Sequence, residues 1–309
     1  MRTFIKTLTY PWFVFLFVIL TFCGRAGAGQ VSQDPIRSIR VYRSIGRVYM
    51  TYGQYEKAER FFQEALEKVR DLQEAEGEKA ICLIDMATLY SYQERLDESA
   101  DLFRRGLEAQ AFALGREHPY AAHGLRMLSD VYRRQGNLDQ AEETLENAMS
   151  VILKYHDHES RELSPFFLDL ARLHMSQGDY ESALEGFRAV LQKVEDNFGP
   201  EHLLTASVLV SMAECELRNR VLVHSEELID RALHIQNRYY GPDHPRQVDA
   251  WLVKVHLCRL QGDFAGAETL IARAVRITAR TQNVITLAAV HERIRQLRSE
   301  DPVLAAAVQ

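Results

Sequence analysis

One six-residue pattern occurs six times in this chain at an almost fixed step. That periodicity restricts the fold more than any other feature. It reads Gly53-Gln54-Tyr55-Glu56-Lys57-Ala58, Glu94-Arg95-Leu96-Asp97-Glu98-Ser99, Gly136-Asn137-Leu138-Asp139-Gln140-Ala141, Gly178-Asp179-Tyr180-Glu181-Ser182-Ala183, Arg220-Val221-Leu222-Val223-His224-Ser225 and Gly262-Asp263-Phe264-Ala265-Gly266-Ala267. The steps are 41, 42, 42, 42 and 42 residues. A constant period in this range marks a solenoid of stacked units. Solenoid units touch chiefly their neighbours and build a long surface, so the expectation is binding rather than chemistry.

Each turn joins two helical patterns. Tyr42, Ile45, Gly46 and Tyr49 precede the first turn, and Ala58, Phe62 and Ala65 follow it. Spacings of three and four place these residues on one face of a helix. The same columns recur downstream. Large residues early in the first helices are Tyr42, Leu83, Leu125, Phe167, Leu209 and Trp251, followed four positions later by Gly46, Ala87, Ser129, Ala171, Ala213 and Val255. In the second helices the small column is Ala58, Ser99, Ala141, Ala183, Ser225 and Ala267, and the bulky one is Phe62, Phe103, Leu145, Phe187, Ile229 and Ile271. Small residues facing large ones allow antiparallel helices to approach closely. Glycine in the turn permits the positive φ that ends the first helix.

The G-x-(Tyr/Leu/Phe)-x-x-A turn and the column Tyr49, Tyr90 and Tyr132 resemble tetratricopeptide repeats. The period exceeds that family's common 34 residues. The inter-unit loops Gly115-Arg116-Glu117-His118-Pro119, Gly199-Pro200-Glu201-His202 and Gly241-Pro242-Asp243-His244-Pro245 resemble the longer, kinesin light chain type. The resemblance implies an all-α, right-handed superhelical solenoid of six antiparallel helix pairs, about 42 residues each, over residues 37–282. It also implies that the first helices line the concave face. The asparagines that often line that face in the subfamily are missing, so its ligand is not carried over. Glu94 and Arg220 stand where the turn glycine is expected, and His174, Glu216 and Cys258 take the tyrosine column. These departures predict looser packing from the fourth unit onward.

The chain ends have their own signatures. Arg2 and Lys6, a 13-residue apolar run from Pro11 to Cys23, and Ala26-Gly27-Ala28 form the three-part layout of a secretory signal over residues 1–28. An apolar run this short does not comfortably span a bilayer. Membrane association is therefore expected only through an uncleaved signal or a lipid on Cys23, where Phe22 fits a lipobox poorly. The expected location is exported, periplasmic or secreted. Residues 29–36 read as a lead-in, with Asp34-Pro35 as cap and first turn of the opening helix. Leu287, Val290, Ile294 and Leu297 mark a capping helix over 283–299, followed by a tail over 300–309.

Removal of residues 1–28 takes away Arg2, Lys6 and Arg25 and no acid. It leaves 34 basic and 43 acidic side chains, a net charge of −9. That sign disfavours nucleic acid as a partner. Three cysteines remain, Cys82, Cys215 and Cys258, which cannot all pair. Buried free thiols are the favoured reading, with a Cys215–Cys258 approach as the alternative.

No nucleotide, nucleophile-elbow or zinc motif is present, and the repeats leave little sequence for a catalytic domain. No enzyme activity, cofactor or small-molecule substrate is expected. His156-Asp157-His158-Glu159 is the one dense run of metal-type ligands and reads as a solvated loop. His118, His202 and His244 recur at repeat spacing and are read as shaping the start of each first helix.

Non-core positions on first helices are the candidate groove: Arg40, Arg43, Arg47, Tyr92, Arg126, Arg133, Arg134, Arg172, Arg218 and Arg259. Arginine forks suit carboxylates, so a protein or peptide partner of acidic character is expected. The competing reading pairs these arginines with acids of the next unit. Charge reversal at Arg43 and Arg126 is expected to weaken capture and spare the fold. The resulting function is a non-enzymatic scaffold or adaptor in the cell envelope. Self-association into an assembly and a metal-dependent enzyme are the rivals.

Overall fold

The structure is a computed structural model and describes residues 34–279 apart from positions 71, 73, 74 and 159. The export signal (1–28), the capping helix (283–299) and the tail (300–309) read from sequence lie outside the described residues. Among the described residues there are twelve α-helices and two short 3-10 turns, and no strand. The helices pair as α1 (Pro35–Thr51) with α2 (Tyr55–Arg70), α3 (Glu76–Tyr92) with α4 (Leu96–Leu114), and α5 (Pro119–Arg134) with α6 (Leu138–Ile152). Next come α7 (Ser164–Gln177) with α8 (Tyr180–Phe198), α9 (Leu203–Arg218) with α10 (Val223–Tyr240), and α11 (Val248–Leu260) with α12 (Phe264–Ala279). These are the six expected units. No described helix is long and apolar enough to cross a membrane.

The knob column is buried throughout, Phe62, Phe103 and Phe187 completely so, and the small column beside it is buried in every unit. At Gly46 even a methyl group would lie 2.5 Å from the Phe62 ring, so only glycine admits that knob. Serine substitutes in the small columns by bonding back to the chain: Ser99 donates to the Ala87 carbonyl at 2.8 Å and Ser129 to that of Ala141 at 2.6 Å.

Every turn closes with the same backbone bond. The amides of Gln54, Arg95, Asn137, Asp179, Val221 and Asp263 donate to the carbonyls of Tyr49, Tyr90, Tyr132, His174, Glu216 and Cys258 at 2.8–3.0 Å. This is the six-to-one bond of a Schellman closure. It uses main-chain atoms, so the column tolerates His, Glu and Cys. Glu94 and Arg220 take the glycine conformation at φ 60° and 63°. A side chain there costs about 1–2 kcal/mol, against about 0.5–1 kcal/mol for glycine's extra freedom when unfolded. Arg220 is exposed, so Arg220→Gly is expected to raise stability by about 0.5–1 kcal/mol. A lower urea midpoint for that variant would contradict this account.

The cap of the opening helix is as read: the Asp34 carboxylate caps α1 by accepting the Arg37 amide at 3.2 Å. The loop histidines do start first helices. Nδ1 of His118, His202 and His244 accepts the amide two residues on at 3.1–3.2 Å. Each ring also packs on an aromatic neighbour, Tyr120, Phe198 and Tyr240 respectively.

One expectation holds and one is corrected. The paired helices of the fourth to sixth units pack less closely than those of the second and third, as expected, yet most buried apolar side chains from Leu168 to Ile277 join one cluster, whereas earlier units rest on smaller separate ones. Trp251 and Val255 fill the sixth unit with larger groups. Buried Glu216 is satisfied by His224 at 2.8 Å and Ser225 at 3.2 Å. Units do not, however, touch only their neighbours. The array curls until the loop before α11 reaches the first turn, where Pro245 Cγ stands 2.8 Å from where a Gly53 methyl would sit.

Candidate binding cavity on the concave face

The first helices wall a cavity of about 1060 Å³. α3 contributes Thr88, Ser91 and Tyr92, and α5 contributes Arg126, Met127, Asp130, Arg133 and Arg134. Asp169, Arg172 and Met175 come from α7, while α9 adds a face from Leu203 to Arg218 and α11 one from Val248 to His256. First helices face inward because their apolar columns, one residue in three or four, are consumed by packing and leave the opposite stripe over.

Of the predicted residues, Tyr92, Arg126, Arg133, Arg134, Arg172 and Arg218 share this cavity. Arg40, Arg43, Arg47 and Arg259 are not among its lining. Arg43 is buried, and its Nε donates to Asp85 at 2.8 Å. Arg47 donates to the other oxygen of Asp85 at 2.8 Å, and Arg40 donates to Glu78 at 2.8 Å. Arg259 is itself buried on α11.

Inside the cavity the arginines also have partners. Arg126 and Arg172 both reach Asp169, the latter at 3.2 Å, and Arg172 extends to Ser207 and Ser211 at 2.8 and 2.9 Å. Arg133 donates to Asp130 at 2.7 Å and to Ser176 at 3.2 Å. Arg134 bonds Ser91 at 2.7 Å and pairs with Glu94, and Arg218 donates to Glu214 at 2.8 Å. Burial disfavours charge on Asp130, but Arg133, Arg134 and Arg172 outweigh it and hold that carboxyl below its ordinary range. The arginine stripe is thus a ladder of pairs, many spanning one period to the neighbouring unit. Charge reversal at Arg43 would set a third acid beside Glu78 and Asp85, so the expectation that it spares the fold does not hold.

Sequence reasoning found the arginines and offered acids of the next unit as their partners in the competing reading, without naming Asp85 or Asp169. Asp85 and Asp169 stand 42 and 43 residues after Arg43 and Arg126, and that one-period offset was the available signal. It also missed Tyr55, Tyr240, Pro245 and Arg246 on the cavity wall. Three side-chain atoms of the lining residues are buried without a hydrogen-bond partner among the described residues: Nε of Arg126, Nε of Arg246 and Oε1 of Gln236. Arg246 packs its guanidinium over Tyr92 at 5.0 Å and reaches the Tyr240 hydroxyl at 3.5 Å.

Elsewhere, the thiols of Cys82, Cys215 and Cys258 are free and buried, and burial pushes the first two up to about 12 and about 11. His156, Asp157 and His158 lie in the loop after α6, and Glu159 lies outside the described residues. Among the described residues no three His, Cys, Asp or Glu side chains are grouped as metal ligands would be.

Two family models described as tetratricopeptide repeat match this chain, one at residues 37–111 and 83–154 and the other at 167–203. No curated protein matches the sequence. Solved structures do. The chain is 20% identical to BtubC (BKLC) from P. vanneervenii over 74% of this chain and 92% of that one, with a TM-score of 0.52. A putative kinesin light chain of Podosopora anserina with nearly identical TPR-like repeats is 21% identical over 66% and 97%, at a TM-score of 0.50. A Rap protein complexed with Competence and Sporulation Factor is 14% identical over 86% and 76%, at 0.61. At these identities the likeness is one of fold.

Proposed function

The chain belongs to the tetratricopeptide repeat family, and from that premise we propose that it is a non-enzymatic scaffold that holds an extended segment of a partner protein in its concave cavity. The observation that carries this reading is the cavity itself. Its volume of about 1060 Å³ lies at the upper end of ordinary ligand sites. Its wall mixes apolar side chains such as Met127, Met175 and Val210 with hydroxyls and guanidinia. A Rap protein of the same fold is complexed with a factor, which agrees with use of such arrays for partner binding. The partner's acidic character is a weaker part of the reading, because acids of the chain already face the cavity arginines. A segment with apolar side chains and a free backbone fits better than a strongly acidic one.

Export places this activity in the cell envelope, with the mature chain beginning at Gly29. One experiment tests both. A photo-reactive residue replaces Val210 in the cavity or Glu143 on a second helix, in protein expressed in its own host. The expected result is an intact mass starting at Gly29 and a peptide cross-link from position 210 only. Retention of Met1, or equal cross-linking from both positions, would overturn the corresponding half. Exposed Phe112, Leu114 and Tyr120, close together along the chain at the α4–α5 corner, favour a second reading, self-association. In that case the dominant cross-link joins two copies.

A further inference from the structure

The first two units and the sixth meet across roughly 190 residues of sequence, and no packed helix pair supports that meeting among the described residues. Contacts at three points contribute to it, and Asp249 of α11 adds a charge beside Glu94 and Arg134. Pro245 lies against the glycine of the first turn, where a side chain at position 53 would collide with it. Arg246 covers the Tyr92 ring, itself stacked with Tyr55 at 6.5 Å. His244 lies beside the Thr51 backbone, and its Nδ1 accepts the Arg246 amide at 3.2 Å. The contact is small, polar and aromatic, unlike the continuous apolar core that joins the fourth to sixth units. It is also the place where the wall of the cavity is completed, since Tyr55, Tyr92, Pro245 and Arg246 all line it.

We propose that this contact is a clasp. The array opens and closes between Gly53–Tyr92 and His244–Arg246, and closure retains a segment lying in the cavity. The proposal rests on the reading of the cavity as the binding site. Bending distributed over five unit interfaces opens the clasp without unpacking any one of them. Among the side chains that hold it shut are a cation over an aromatic face and the polar groups of His244 and Asp249, whose interactions exchange readily with water.

The geometry supplies its own test. A Cβ at position 53 lies 3.4 Å from Pro245 Cβ, against about 3.5–4.5 Å in disulfides. The variant Gly53→Cys with Pro245→Cys is expected to form an intramolecular disulfide under mild oxidation, while each single variant does not. Adding Arg246→Ala is expected to slow its formation about 2–5-fold. For access, Ser207→Cys in the cavity is added, and its thiol takes biotin on a short maleimide linker while the disulfide protects positions 53 and 245. Streptavidin is expected to bind the reduced protein and to lose binding when the disulfide is formed. Absence of the intramolecular disulfide, a disulfide that joins two chains instead, or streptavidin binding unchanged by locking would each overturn the clasp. Small-angle scattering of Arg246→Ala keeps the idea testable should the cysteine variants misfold: the radius of gyration should rise, and an unchanged value would count against it. No peptide enters these measurements. Their failure leaves the cavity reading standing, and failure of the cross-link at position 210 would remove the retained segment but not the opening and closing of the contact.

Discussion

Asp85→Ala is expected to destabilise the amino-terminal units by about 3–5 kcal/mol. Asp85 is buried on α3, and both its oxygens are engaged by α1, one by Arg43 and one by Arg47. Arg43 is itself buried, so removal of the carboxylate strands a charge away from water with only Glu78 at 3.5 Å to answer it. Arg47 is half exposed, and its pair contributes less because water screens it. Asp85→Asn keeps an acceptor and is expected to lose less than the alanine variant. Urea denaturation followed by circular dichroism is the measurement, with hydrogen exchange to locate the loss in α1–α4. A loss below about 1 kcal/mol would mean that the pair behaves as a solvated one.

Phe187→Ala is expected to cost about 3–5 kcal/mol, the usual range for emptying a fully buried phenylalanine site. The matched change in the second unit, Phe103→Ala, removes an equally buried ring. The two should differ in how far the damage spreads. Phe187 belongs to the continuous core running to Ile277, so hydrogen-exchange protection should fall together across α7–α12. Phe103 belongs to a local cluster with Leu128 and Val131, so its loss should stay near α3–α5. Equal spread from both sites would show that the clusters are energetically one body.

The helix pairs, the turn positions and the knob columns were legible in the sequence because they repeat, and a repeated error would have shown as a break in phase. Even Glu94 and Arg220 could be placed in the glycine conformation by their position in the period. The inward stripe was legible for the same reason. What it does was not, because a periodic alignment names residues on one unit and is silent about which residue of the next unit they face. Arg43 and Asp85 illustrate this: each is unremarkable alone, and only the one-period offset makes them a pair. The looser pairing of the later units was legible as breaks in the columns, but the turns there close like the others despite the loss of Tyr49, Tyr90 and Tyr132 equivalents. The turn bond uses the carbonyl there, and Glu216 finds separate partners in His224 and Ser225. The meeting of Gly53 with Pro245 left no periodic trace at all, since it joins different parts of the repeat.

That meeting also restricts where this array can gain or lose a unit. An open spiral grows or shrinks by duplicating or losing a whole repeat, and each added copy finds a neighbour identical to the last. Here the pitch per unit and the count of six together bring Pro245 back to the first turn. A seventh copy inserted anywhere between Gly53 and Pro245 would carry the two past each other by one unit. A unit added before the first turn or after Pro245 would leave the meeting intact, so repeat number is restricted only inside the interval that it closes.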